Sequence, residues 1–157
     1  ARAVSPPHII GCVVHASCAL QAPGHVKHHF GHGLIVGEPN GATTPRLQAL
    51  VSRLTQAGFQ TTLSNHIQKD IWFKLWGNMT VNPLSAMTGA TTDLLLDDPL
   101  VKEFMSNVMH EAKAIGAQLG IAIDQAPDDR HAVTRKLGAF KSSMLQDAEA
   151  GRAVVAR

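Results

Sequence analysis

The sequence has no tyrosine, only five phenylalanines and two tryptophans, and only two cysteines. It also has no run of lysine or arginine: 14 basic residues face 12 acidic ones, leaving a net charge of +2 with histidine neutral. So even a balance offers no electrostatic footprint for nucleic acid. Cys12 and Cys18 match neither a zinc knuckle nor a CxxC redox pair. Along an extended segment they fall on one face, and both are expected to be small buried apolar residues. No apolar run approaches the ~20 residues that would span a bilayer. The opening "HIIGCVVHASCALQA" is led by the single basic residue Arg2 and interrupted by His15. Its alternation of β-branched and small residues predicts a strand in place of a signal peptide. The chain does not begin with methionine, so Ala1 is expected not to be the natural start, and the expected compartment is the cytoplasm. A dinucleotide-binding GxGxxG is missing as well. "GHGLIVG" has the wrong spacing and precedes a strand where the motif would open a helix.

What remains is a chain of 157 residues, 45% hydrophobic and 17% charged, which is enough for a real core. Its character changes near residue 65. Before that point the pattern predicts strands at "HIIGCVVHASC", "HVKHHF" and "LIVGE", with a turn over residues 22–24 and another supplied by Gly31 and Gly33. A helix from Arg46 to Ala57 carries Leu47, Leu50, Val51 and Leu54 on one side, and a short strand follows at "FQTTLS". After residue 65 the pattern is helical: Ile67 to about Thr88, then a helix capped by Asp98, opened by Pro99 and ended by Gly120, then Asp129 to Ala150. In the second of these, Phe104, Val108, Ile115 and Leu119 recur at helical spacing as the expected core face.

Histidines gather at positions 25, 28, 29 and 32. On one strand His25 and His29 lie ~13 Å apart at about 3.3 Å per residue. Ligands of one ion must converge to ~2 Å from it, so these are read as surface histidines and no metal site is expected. The more telling stretch is "DIWFKLWGNMTVNPLSAMTGATT" at 70–92. At about 100° per residue, Lys74, Asn78 and Asn82 fall within ~80° of one another, while Trp72, Phe73, Leu75, Trp76, Met79 and Val81 take the rest of the circumference. Asparagine is a poor helix former, so two in register with a lysine are unusual for a solvent face. Pro83 withholds the donor that the Met79 carbonyl would accept, which predicts a helix bent or opened beside the stripe. One ammonium and two amides suit a small polar anion bearing a carbonyl group.

These residues resemble the ketopantoate reductase (2-dehydropantoate 2-reductase) family. "VVHASCALQAPGHVKHHFGHGLIVGE" resembles the sheet that closes the family's nucleotide domain, and "DIWFKLWGNMTVNPLSAMTGAT" its signature helix. "EAKAIGAQLGI" and "FKSSMLQDAEAGR" resemble the helix end and the substrate-side motif that follow. The fold implied is an α/β fragment. Residues 1–64 would be a short β-meander from the end of an NADP-binding, Rossmann-type domain, and residues 65–157 an incomplete, mainly α-helical substrate domain. The activity implied is NADPH-dependent reduction of ketopantoate to pantoate in pantothenate biosynthesis. By position, Lys74 would be the general acid protonating the nascent alkoxide, Asn78 and Asn82 would orient the substrate, and Ser143 would bond its carboxylate.

The departures from the family pattern matter too. The Rossmann half with its GxGxxG is mostly missing, and so are the terminal helices. The family's glutamate shortly after "EAGR" is replaced by Ala153, Val154, Val155, Ala156 and Arg157, with Glu149 too early to serve. The 157 residues alone are therefore expected to bind NADPH negligibly and to lack reductase activity. The expected partners are a small 2-oxo acid and, for the parent protein, a second copy in a homodimer, with neither nucleic acid nor membrane. Two other readings stay open: a reductase of a different 2-oxo acid, and a non-catalytic helical module that associates through its Trp-rich helix.

Overall fold

The computed structural model describes residues 4–154. They form two compact units, divided between Ile71 and Trp72. The first holds a three-stranded sheet in the order β1 (Gly11–Ala22), β2 (His25–Gly37), β3 (Gln60–Leu63). β1 and β2 are an antiparallel hairpin; β3 joins β2 in parallel through helix α1 (Pro45–Gln56). A parallel neighbour needs such a crossover, since a tight turn can join only antiparallel strands.

The hairpin corrects one expectation. "HVKHHF" and "LIVGE" are not separate strands joined at Gly31 and Gly33, because β2 runs through both. Gly31 instead adopts φ +83° opposite a register shift between His15 and Ser17. A side chain there would strike the His15 carbonyl. The glycine therefore serves a bulge, which keeps the strand going while twisting it. Both cysteines are exposed, which also departs from expectation. The buried positions of β1 and β2 are Val13 and Val36, with Gly37 and Glu38 at the strand end. Where the hairpin extends beyond the β2–β3 pairing it has little to bury against.

Helix α1 is built as its sequence suggests. Thr44 caps it by accepting from the Leu47 amide, Pro45 opens it, and Leu47 is fully buried while Leu50, Val51 and Leu54 are half-buried. The loop before it is fastened by Glu38, which is buried. Its carboxylate accepts from Thr44 Oγ1 at 2.5 Å and from Arg46 Nε at 2.7 Å and Nη2 at 2.5 Å.

The second unit is helical. α2 (Ile67–Thr88) begins in the first unit and runs on into the second. It is followed by α3 (Thr92–Asp97), α4 (Pro99–Gln118), α5 (Pro127–Arg135) and α6 (Ser143–Glu149). Asp98 caps α4 through the Leu100 and Val101 amides. The expected helix over 129–150 is in fact two, α5 and α6. Gly138 at φ +62° turns the chain between them, and its carbonyl accepts from Thr92 Oγ1.

Two apolar clusters hold this unit. Trp76, Met109, Ala112 and Ile123 form one, with Trp72, Phe73 and Met79 against it. Val81, Leu95, Leu96 and Met105 form the other. The core face of α4 is thus Met105, Met109, Ala112 and Gly116. The expected set of Phe104, Ile115 and Leu119 is exposed, and Val108 is only half-buried. Both sets have helical periodicity, and α4 buries the one with smaller and more flexible side chains.

Candidate active site

α2 is held by its tryptophans. Trp76 is wholly buried and donates from Nε1 to the Met109 carbonyl at 2.8 Å, which fixes the rotation of α2 against α4. Phe73 packs one turn earlier, its ring centre 5.9 Å from that of Trp76. With this face committed, Lys74, Asn78 and Asn82 share another face of the same helix, each half-buried. The helix is not interrupted at Pro83. The ring removes one donor, yet Val81, packed with Leu95, Leu96 and Met105, lies in the adjoining turn and holds it in place. The expected opening of the helix is therefore not seen. The far end is closed by Thr88 Oγ1 donating to the Leu84 carbonyl and Ser85 Oγ donating to the Ala90 carbonyl.

Ser143 stands on a different helix, as the exposed first residue of α6. Its neighbour Ser142 is buried and has a structural task, accepting from the Leu145 amide at 3.0 Å. Glu149 is engaged by Lys141, at 2.7 and 2.9 Å. Ala153 and Val154 are exposed, and residues 155–157 lie outside the described residues.

Two residues bordering the stripe are not evident from the sequence. Arg130 of α5 places its guanidinium 5.7 Å from the centre of the Phe73 ring. Gly77 admits it, since a Cβ at that position would collide with the guanidinium. Gly77 did leave a signal, because glycine inside a helix costs stability and often marks a close approach. Arg130 left none; beside Asp128 and Asp129 it reads as part of a solvated charged turn.

Other features have simpler roles. Among the described residues no cluster of three or more His, Cys, Asp or Glu side chains is arranged for a metal. His28 and His32 stack with ring centres 4.4 Å apart, and His28 Nε2 bonds to the Gly31 carbonyl at 2.8 Å. An open hollow in the first unit is lined by polar groups such as Asn40, Thr43 and Asn65. Thr43 donates to Asn65 there, and the lining includes no acid or lysine. Among the described residues no helix is long and apolar enough to cross a membrane.

A small sheet with a parallel crossover, followed by a helical unit whose longest helix carries a lysine and two in-register asparagines, defines the class: an α/β fragment followed by a mainly helical domain. The chain belongs to the ketopantoate reductase family, matching the description "Ketopantoate reductase PanE/ApbA C terminal" over residues 66–154. It is 37% identical over 149 residues to a 2-dehydropantoate 2-reductase of Mesorhizobium japonicum, covering 95% of this chain and 46% of that protein. A solved candidate ketopantoate reductase from Ralstonia solanacearum MolK2 superposes with TM-score 0.91 at 56% identity, over 92% of this chain and 45% of the other. A complex of D-mandelate dehydrogenase with NADH shares the fold at TM-score 0.85 and 19% identity, over 96% of this chain and 53% of the other. The chain spans about half the length of the curated relatives it matches.

Proposed function

We propose that this chain is the substrate-side part of an NADPH-dependent reductase converting ketopantoate to pantoate for pantothenate biosynthesis. The observation that carries this reading is the Lys74–Asn78–Asn82 stripe, on a helix whose opposite face is locked by Trp76. Family membership supplies the reaction class.

The cofactor would deliver hydride to C2 of the substrate. Among the described residues no glycine-rich loop joins a strand to a helix as such a cofactor requires, so this chain's part is the proton side. As C2 becomes tetrahedral, negative charge grows on its oxygen. The Lys74 ammonium would stabilise that charge where it develops and then donate the proton. Asn78 and Asn82, one and two turns along the same face, would donate amide hydrogens that hold the substrate against the lysine. Ser143 would bond the carboxylate from α6.

The test is steady-state kinetics of Lys74→Ala in the full-length protein. Loss of a general acid is expected to lower kcat by about 10²–10⁴-fold, and a near-normal rate would refute the assignment. A different 2-oxo acid is tested by comparing kcat/KM for ketopantoate with that for an aryl 2-oxo acid. Association through the Trp-rich helix is not favoured, since Trp76 is buried; an association reading would instead use the exposed apolar side of α4, where Leu100, Phe104 and Leu119 are 76%, 54% and 63% exposed. It predicts a stable oligomer indifferent to NADPH and oxo acids.

A further inference from the structure

Arg130 is the cation that the proposed chemistry leaves unused. Its guanidinium rests between the Phe73 ring and the bare backbone of Gly77, and Nε is shielded from solvent with no hydrogen-bond acceptor among the described residues. Burial alone pulls its pKa down, with no carboxylate acting on it. Three other arginines are each neutralised by a carboxylate: Arg46 by Glu38, Arg135 by Asp97, Arg152 by Asp147. A guanidinium cannot escape desolvation by losing its proton. Holding one half-buried and unpaired is costly unless an anion arrives.

Its position says which anion. Phe73 directly precedes Lys74, and Gly77 directly precedes Asn78. On the helix Gly77 lies about 60° from Lys74 and one turn along from it. The guanidinium therefore rests on the face of α2 that adjoins the polar stripe, against the residues that directly precede Lys74 and Asn78. A 2-oxo acid carries its keto oxygen and its carboxylate on adjacent carbons. Two cations on adjoining faces of one helix, one a point charge and one a planar fork, suit those two groups: Lys74 the keto oxygen, Arg130 the carboxylate in paired N–H···O bonds. Phe73 and Gly77 then serve to hold the fork against the helix.

We propose that Arg130 is a substrate-binding residue that takes the carboxylate of the 2-oxo acid. This rests on the reading of the stripe as the oxo-acid site. The test uses the full-length enzyme and compares Arg130→Met, Arg130→Lys and Gly77→Ala with Lys74→Ala. Gly77→Ala keeps Arg130 in the chain but evicts its guanidinium, while improving helix propensity; it therefore remains decisive should Arg130→Met not fold. The expected result for Arg130→Met and Gly77→Ala is a KM for the oxo acid raised about 10- to 100-fold, as for loss of a charged hydrogen-bond pair. The kcat should stay within about threefold and the KM for NADPH should not change. Arg130→Lys should recover only part of the loss.

An unchanged oxo-acid KM across these variants, with a lowered melting temperature, would overturn the proposal. It would mean that the anion is a carboxylate elsewhere in the parent protein. If Lys74→Ala is also active, the reading of the stripe falls with it; if Lys74→Ala is inactive, only the role of Arg130 falls.

Discussion

Arg46 in the first unit and Arg130 in the second each bring a guanidinium against half-buried surroundings, and they are satisfied in opposite ways. Arg46 gives two hydrogen bonds to the buried Glu38 carboxylate, a third to the Pro7 carbonyl, and sits beside Thr44, which bonds the same carboxylate. Every group in that cluster has a partner within the fold. Arg130 has an aromatic face, a glycine and, among the described residues, no acid. The difference separates two uses of one side chain. A cation whose partners are internal fastens a loop, here the one between β2 and α1. A cation packed in place but left without an anion remains available for a ligand.

This contrast can be broken most directly by unfolding. Arg46→Met strands a buried carboxylate, so its urea midpoint should fall clearly below that of the parent. Arg130→Met removes a charge that has no internal partner, and its midpoint should be unchanged or higher. Equal falls in the two variants would end the distinction.

Acid sharpens the comparison. The Arg46 and Thr44 bonds hold Glu38 down to a pKa of about 2, against 4.5 for a free glutamate. The unfolded chain then binds more protons in that interval. The stability from this cluster is complete above pH 4.5 and is lost as pH falls toward about 2. In the second unit, burial and Lys102 push His131 below its ordinary 6.5, against an opposing pull from Asp128. Its ring bonds to Ser106 Oγ at 3.0 Å. That stability is present above pH 6.5 and declines as pH falls through the lowered value. Acid titration should therefore disturb the second unit first. Both tryptophans lie there, so their emission should change before far-UV dichroism reports loss of the sheet. Glu38→Gln should remove only the later effect; an unaltered lower transition would refute its assignment.

The smallest expected effect separates two adjacent serines. Ser142→Ala removes the cap of α6 and should cost about 1 kcal/mol of stability. Ser143→Ala, exposed and uncommitted to the cap, should leave thermal unfolding within experimental error and raise the KM for the oxo acid. If both serines behaved alike in melting and in KM, the division between scaffold and site would fail at α6.

Much of this architecture was legible wherever a local device decides it. Asp98 with Pro99 marks the start of α4, Thr44 with Pro45 that of α1, and the extent of α2 follows from its apolar run. The spacing of Lys74, Asn78 and Asn82 could be read for the same reason: one helix fixes their angular relation whatever surrounds it. Errors arose where a choice depends on a neighbour. Gly31 and Gly33 could make a turn or a bulge, and pairing with β1 chose the bulge. The helical pattern of 129–150 hid a break that Thr92 stabilises from 46 residues away by bonding to Gly138. α3 is too short to announce itself by periodicity.

By itself the sequence determined the small sheet followed by helices, the two capped helices and the polar stripe, because caps, periodicity and spacing act within a few residues. The tertiary structure alone decided which face of α4 is core, where β2 bends, and that Arg130 comes to rest against Phe73 and Gly77. Those outcomes depend on side chains far apart in sequence competing for the same space. The space that Gly77 leaves open is visible only once the Arg130 side chain of α5 reaches it.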